Sequence, residues 1–77
     1  VNPVYFSRIF KIATGQTPIQ YLTAIRINKA IDLLRESQES ITEIAFKLGY
    51  KDPSYFSRVF KKSTGVSPLE YRRQRQK

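Results

Sequence analysis

The 77-residue chain contains no cysteine, histidine, tryptophan or methionine. Without cysteine there can be no disulfide, no thiolate nucleophile and no thiolate metal ligand. Without histidine, the Ser-His-Asp and Cys-His catalytic arrangements and the zinc-finger ligand sets are excluded. No apolar run approaches the roughly 18 residues that a membrane-spanning helix needs. Because the six acidic side chains are also scattered, we expect a binding module that is not an enzyme and uses no metal or cofactor.

Basic residues are in excess and are unevenly distributed. The formal net charge is +8, from 14 Lys and Arg against 6 Asp and Glu. Residues 40–77 carry nine basic and three acidic side chains, whereas residues 1–39 carry five and three. This asymmetry indicates a polyanionic partner, although a solvated surface with a basic tail over residues 71–77 would explain the charge alone equally well.

A repeat with an offset of 50 residues is the most informative feature of the sequence. Residues 2–11 read NPVYFSRIFK, residues 52–61 read DPSYFSRVFK, and the match continues to residues 21 and 71. Over 21 aligned positions, 11 are identical. The chain therefore contains two related units, which are too few for a solenoid and favour a duplicated recognition element.

Helix boundaries are marked by capping residues. Thr17, Ser40 and Ser67 each begin a capping-box pattern, with Gln or Glu three residues later. Gly15 and Gly65 stand where a left-handed C-cap is expected. Since prolines fall only at helix starts and no segment alternates with a period of two, we predict an all-α fold. The predicted helices cover residues 3–14, 18–36, 41–48, 53–64 and 68–75.

Helices 41–48 and 53–64 have the pattern of a helix-turn-helix unit, with Gly49 in a short turn between them. Ala45 is small where two helices that cross at a steep angle must approach closely. On helix 53–64, an apolar stripe of Phe56, Val59 and Phe60 predicts the core face. In this architecture the second helix enters a DNA major groove.

A second stripe on the same helix is polar and basic. It consists of Ser54, Ser57, Arg58 and Lys61, and its counterpart in the first repeat consists of Val4, Ser7, Arg8 and Lys11. An arginine such as Arg58 can form a bidentate pair with guanine, and serines can bond to base edges or phosphates. Lys51, Lys61 and Lys62 would neutralise phosphates beside the groove.

Helix 18–36 is predicted to be a spacer between the two units. Its predicted apolar side comprises Ile19, Leu22, Ile27, Ala30, Ile31 and Leu34. At 1.5 Å per residue its 19 residues span roughly 28 Å, which is close to the 34–36 Å of one turn of B-DNA. Two recognition helices at that separation would enter successive major grooves. The simpler interpretation is a long core helix, and the two interpretations are compatible with each other.

Residues 41–45 (ITEIA), 49–62 (GYKDPSYFSRVFKK), 65–68 (GVSP) and 71–72 (YR) closely resemble the signature of the AraC/XylS family of bacterial transcription regulators. The resemblance covers essentially the whole chain. It implies a homeodomain-like helix-turn-helix bundle, in which two units are joined by a long linker helix. The resemblance also implies base contacts by Val4, Ser7, Arg8, Ser54, Tyr55 and Arg58, and phosphate contacts by Lys11, Thr42, Lys51, Ser57, Lys61 and Lys62. For Tyr55, packing under the helix or stacking on a sugar remain alternatives.

The resemblance further implies double-stranded DNA as the partner, RNA polymerase as a partner of the full-length protein, and a bacterial cytoplasmic location at the nucleoid. The family's domain has two more helices before the first recognition helix, so we expect the first unit to be incomplete. The predicted segments are the first recognition helix (1–16), the linker helix (17–37), the complete second unit (40–65), and the C-terminal helix with its basic tail (67–77). We also expect self-association through residues 3–14, because apolar residues there would have lost partners.

Two other binding functions fit the composition less well. A membrane-surface helix over residues 18–36 would need the apolar side that the core requires, and the chain lacks tryptophan,. Non-specific binding of RNA or single-stranded DNA would use exposed tyrosines and arginines. The two Tyr-Phe-Ser-Arg segments are predicted on helices, however, and not on the sheet surface that commonly stacks RNA bases.

Overall fold

The computed structural model describes residues 11 and 13–75, in which Lys11, Ala13 and Thr14 are helical. Four helices follow: α1 (Pro18–Glu36), α2 (Ile41–Lys47), α3 (Pro53–Thr64) and α4 (Pro68–Arg75). The all-α prediction is confirmed for these residues, which form no strand. The predicted bounds of α1, α3 and α4 agree with the structure. The prediction for α2 was one residue too long, because Leu48 is its C-cap.

Two predicted capping boxes fix the starts of α1 and α2. The Thr17 hydroxyl accepts the Gln20 N–H at 3.1 Å, and the Gln20 side-chain oxygen accepts the Thr17 N–H at 3.0 Å. Ser40 and Glu43 make the same pair of bonds at 3.0 and 3.1 Å. Each box pairs two backbone donors that the helix itself leaves without acceptors.

The third predicted box, at the start of α4, is only half formed. The Ser67 hydroxyl accepts the Glu70 N–H at 3.1 Å, as predicted. The Glu70 carboxylate, however, accepts the hydroxyl proton of Ser67 at 3.2 Å instead of the backbone N–H. Because the carboxylate accepts from the side chain of Ser67, the second hydrogen bond of the box, from the Ser67 backbone N–H to Glu70, is not formed.

Glu43, in the first turn of α2, has a lowered pKa. The main cause is the hydrogen bond from the Ser40 backbone, followed by that with the Ser40 side chain, and the charge of Lys47 acts in the same direction. Since the folded state favours the carboxylate, this cap stabilises the fold above the ordinary glutamate pKa. Its contribution is lost as the pH falls through the lowered value.

The core lies where α1, α2, α3 and the turn after α2 meet. Its buried residues are Ile27, Ala30, Leu34, Ile44, Ala45, Tyr50, Phe56 and Phe60. The predicted apolar stripe of α3 is confirmed, because both phenylalanines are fully buried and Val59 packs against the same cluster. Ala45 is also fully buried, as its small size predicted.

The predicted apolar side of α1 is wrong in the first half of the helix. Ile19 is 78% exposed and Leu22 is 46% exposed. The buried positions of α1 begin at Ile27, because the described helices that form the core pack against the second half of α1. The first half therefore presents apolar side chains at the surface of the described structure.

Arg72 was expected to belong to a basic tail, and the structure places it elsewhere. Its guanidinium donates to the backbone carbonyls of Leu34 at 3.2 Å, Ser37 at 3.2 Å, Leu33 at 3.5 Å and Glu39. These acceptors lie at the C-terminal end of α1 and in the loop to α2. The last carbonyls of a helix attract a cation, so these hydrogen bonds of Arg72 link α4 to this junction.

Candidate nucleic-acid interface

The turn between α2 and α3 is built on Gly49. Gly49 has a φ of +97°, a conformation that residues with a Cβ adopt only at a cost,. Its N–H donates to the Phe46 carbonyl, and the Tyr50 N–H donates to the Ala45 carbonyl, both at 3.0 Å. The chain then reverses into Asp52, whose carboxylate accepts the Ser54 N–H at 2.9 Å. The predicted helix-turn-helix unit is therefore present.

One face of α3 is buried and the opposite face is polar and basic. The exposed residues of α3 that were predicted to contact DNA are Ser54, Tyr55, Arg58, Lys61 and Lys62, while Ser57 is half-buried beside them. Two further predicted residues are exposed next to this helix: Thr42 in the first turn of α2 and Lys51 in the turn. All of these residues belong to one helix-turn-helix unit, and all except Ser57 are exposed.

The cations of this surface are not neutralised within the described chain. The ion pair found among residues 11 and 13–75 joins Lys47 to Glu39, with Nζ and Oε1 2.8 Å apart. Lys51, Arg58, Lys61 and Lys62 therefore have no carboxylate partner in this part of the protein. A surface of unpaired cations beside exposed hydroxyls can bind the phosphates and base edges of a nucleic acid.

Tyr55 combines a packed and an exposed side. The centroid of the Tyr55 ring lies 6.1 Å from that of the Tyr50 ring. The guanidinium carbon of Arg58 lies 5.9 Å from the centroid of the Tyr55 ring. Tyr55 is nevertheless 53% exposed. Tyr55 thus packs against the buried Tyr50 ring on one side and against Arg58 on another. Because about half of its surface is exposed, the predicted base contact stays a prediction.

The described end of the first repeat has the same hydrogen bonds as the second. Gly15 and Gly65 both have positive φ values, +76° and +91°. Their N–H groups donate to the carbonyls of Lys11 at 2.7 Å and Lys61 at 2.8 Å. The left-handed caps predicted at both glycines are confirmed. Lys11 is exposed, whereas Val4, Ser7 and Arg8 lie outside the described residues.

Two residues near this surface were missed by the sequence analysis. Arg26 of α1 lies with its guanidinium carbon 5.4 Å from the ring centroid of Tyr50. Tyr50 itself is only 8% exposed. The sequence could have indicated that Arg26 lies near the core. It precedes Ala30, which belongs to the predicted apolar side of α1, by four positions and therefore lies on the same side of the helix.

Comparisons with known proteins identify the family. A family model described as "Helix-turn-helix domain" matches residues 1–74. A transcriptional regulator from Chromobacterium violaceum, described as an AraC-type DNA-binding domain-containing protein, has a similar structure with a TM-score of 0.85 and 31% identity, covering 92% of this chain and 63% of that chain. The chain belongs to the AraC-type helix-turn-helix family. The family comprises DNA-binding domains of transcription regulators, and not enzymes.

Other similar proteins support this assignment of the AraC-type domain. The C-terminal domain of AraT, a response regulator from Geobacillus stearothermophilus, has a TM-score of 0.94 and 49% identity, covering 97% of this chain and 62% of that chain. The DNA-binding domain of AdpA, solved in complex with a target DNA, has a TM-score of 0.86 and 34% identity, covering 91% of this chain and 63% of that chain.

Among curated proteins, the AraC-type domain resembles the HTH-type transcriptional activator RhaS. The RhaS of Klebsiella pneumoniae (strain 342) is 51% identical over 45 residues, which are 58% of this chain and 16% of RhaS. The chain thus matches about a sixth of the length of this relative. Within the described residues, no helix combines the length and apolar character needed to cross a membrane.

Proposed function

We propose that this AraC-type domain binds a specific sequence of double-stranded DNA, as the DNA-binding part of a bacterial transcription regulator. The observation that supports the proposal is the exposed face of α3. Its hydroxyls, and its cations that have no carboxylate partner among the described residues, lie opposite the fully buried Phe56 and Phe60. Two comparisons add support. The AdpA domain with the same fold is in complex with a target DNA, and RhaS is named a transcriptional activator.

In this proposal α3 lies in the major groove, and Arg58 pairs with the N7 and O6 atoms of a guanine. The remaining proposed base contacts are made by Ser54 and Tyr55 in the second unit and by Val4, Ser7 and Arg8 in the first. The proposed phosphate contacts are made by Lys11, Thr42, Lys51, Ser57, Lys61 and Lys62. The first group fixes which sequence is bound, and the second supplies affinity that depends on salt.

The length of α1 supports binding by both units on one side of the duplex. Its 19 residues correspond to roughly 28 Å, and adjacent turns of the major groove are about 34–36 Å apart. The two recognition helices would then enter successive major grooves. A duplex selected from a random pool should accordingly contain two short motifs, separated by about one helical turn.

Arg58→Ala should lower the affinity for the selected duplex by about 1–3 kcal/mol and relax specificity at one base pair. Lys61→Ala is the matched control, because it removes a charge from the same face of α3. It should weaken binding to all duplexes alike and reduce the slope of log K against log salt by about 0.9. Fluorescence anisotropy with the selected duplex and its single-base variants, at several salt concentrations, measures both effects.

If Arg58→Ala weakened selected and random duplexes equally, Arg58 would be a phosphate contact and its proposed role would be wrong. If the unmodified domain bound every duplex and single strand with the same affinity, the alternative of a non-specific nucleic-acid-binding module would replace the proposal. Competition with single-stranded RNA at moderate salt separates these outcomes.

We further propose that RNA polymerase is a partner of the full-length protein and that the protein acts at the nucleoid in the bacterial cytoplasm. The support comes from the comparison with RhaS, which is named an activator of transcription. An activator must raise the occupancy or activity of the polymerase at a promoter. Co-purification of polymerase with the DNA-bound full-length protein tests this proposal.

We also propose self-association through residues 3–14, most of which lie outside the described residues, together with the first half of α1 that follows them. Ile19, Leu22 and Ile25 are exposed on the first half of α1, and adjacent exposed apolar side chains favour association. Sedimentation equilibrium should show a mass that rises with protein concentration, and Ile19→Gln should reduce that rise. A strict monomer at high concentration would contradict the proposal.

A further inference from the structure

Arg26 lies over the turn of the helix-turn-helix unit, although it belongs to the long helix α1. Its guanidinium carbon is 5.4 Å from the ring centroid of Tyr50. A Cβ placed on Gly49 would have the Nη2 atom of Arg26 as its nearest neighbour, at 3.5 Å. The guanidinium therefore lies over the Tyr50 ring and borders the open side of Gly49, and Arg26 is half-buried there.

Among the described residues, no hydrogen bond or ion pair involves the guanidinium of Arg26. It lies over the ring of Tyr50 and beside the space that a side chain at position 49 would enter. A guanidinium is weakly hydrated and planar, so it can stack on an aromatic face in a way that the compact lysine ammonium cannot. The position thus makes use of a property specific to arginine.

From Tyr50 the contacts continue to the exposed face of α3. The Tyr50 ring is 6.1 Å from the Tyr55 ring, and the Tyr55 ring is 5.9 Å from the guanidinium carbon of Arg58, all measured to ring centroids. The Tyr50 ring also lies 5.2 Å from the ring of the buried Phe56, centroid to centroid. An unbroken row of side chains therefore leads from α1 to Arg58.

We propose that Arg26 is a positioning residue for DNA recognition: it holds Tyr50 and the turn so that Tyr55 keeps Arg58 in the orientation that reads a base. This inference rests on the proposed DNA binding of the AraC-type domain. It ties the reading face of α3 to the helix that spaces the two units, because α1 carries the first member of the row. Arg26 itself acts without touching DNA.

The test compares Arg26→Ala and Arg26→Lys with Arg35→Ala, which removes the same side chain from an exposed position of α1. Binding is measured on the selected duplex and on a duplex changed at the base pair read by Arg58, over a range of salt concentrations. Arg26→Ala should weaken binding to the selected duplex about 5- to 10-fold, with little change for the altered duplex and an unchanged salt slope. Arg26→Lys should recover little of the loss, and Arg35→Ala should preserve the discrimination.

Two results would overturn the inference. An equal loss on both duplexes, with a salt slope reduced by about 0.9, would make Arg26 a phosphate contact. A lower melting temperature with unchanged discrimination would make it a purely structural residue.

A readout without DNA separates this inference from the proposed function. In the free domain, Arg26→Ala should shift the NMR signals of the Tyr50 and Tyr55 rings and of the Arg58 Nε–H, whereas Arg35→Ala should leave them in place. Unchanged Arg58 signals would overturn the positioning role whether or not DNA binds. An unmodified domain that does not discriminate between the duplexes would instead overturn the proposed function.

Discussion

Phe60→Ala is expected to lower the free energy of unfolding by about 3–5 kcal/mol. Phe60 is fully buried, and its ring centroid lies 6.0 Å from that of Phe56 and 5.9 Å from that of Tyr71. The substitution removes the apolar surface of one ring and leaves a cavity between α3 and α4. It also removes two aromatic contacts, one of which is the edge-to-face contact with α4,.

The expected loss is large for a chain of this length. At about 0.05–0.15 kcal/mol per residue, the total stability is on the order of 4–12 kcal/mol. In domains of this size each kcal/mol shifts the melting temperature by about 4–8 °C, so Phe60→Ala should lower it by at least about 12 °C. Urea denaturation followed by circular dichroism measures the change directly.

Phe46→Ala is the matched control for this prediction. It makes the same truncation on α2, at a side chain that is 55% exposed, and it should change stability by less than about 0.5 kcal/mol. Equal losses at the two positions would mean that the core between α3 and α4 is not packed as described. A loss confined to Phe60 would support that packing.

Arg72→Ala should lower the free energy of unfolding by about 2–4 kcal/mol, because hydrogen bonds from a charged donor contribute more than neutral ones. The four carbonyls that Arg72 reaches lie at the end of α1 and in the loop before α2. Removing the guanidinium deletes the hydrogen bonds to these partly buried carbonyls and weakens the attachment of α4 to the junction. Arg72→Lys should recover little, since one ammonium group cannot reach the same set of acceptors.

Arg73→Ala provides the comparison for charge. Arg73 is the next residue on α4 and is exposed, so its loss should cost less than about 0.5 kcal/mol. Chemical denaturation at low and at high salt measures both variants. If the two substitutions had equal effects that disappeared at high salt, Arg72 would contribute only through general electrostatics, and its role as an anchor would be wrong.

Local patterns in the sequence predicted α1, α3 and α4 and two of the three capping boxes correctly, because such features depend on a few neighbouring residues. Thr17 with Gln20, and Ser40 with Glu43, form the predicted boxes. Gly49 lies in the predicted turn and has a positive φ there. The buried phenylalanines of α3 followed from helical spacing, and the residues left on the opposite face were those with hydroxyls and charges. The helix-turn-helix unit and its exposed basic face were therefore predictable.

Other features depend on how the helices are arranged, and a one-dimensional pattern does not contain this information. Ile19 and Ile27 have the same hydrophobicity, yet Ile19 is exposed and Ile27 is buried, because the described core covers only the second half of α1. Periodicity shows which residues share a side of a helix, but it does not show how far along the helix that side is covered.

The arginines show most clearly which features the sequence predicts and which depend on the tertiary structure. By itself the sequence determined the helices, the turn, the basic charge and the side of α3 that carries Arg58. Only the tertiary structure distinguished Arg72, which is fastened to four carbonyls, and Arg26, which lies over Tyr50, from the exposed Arg35 and Arg73. The physical reason is that an arginine's charge is the same everywhere, whereas its partners come from segments as far as 39 residues away along the chain.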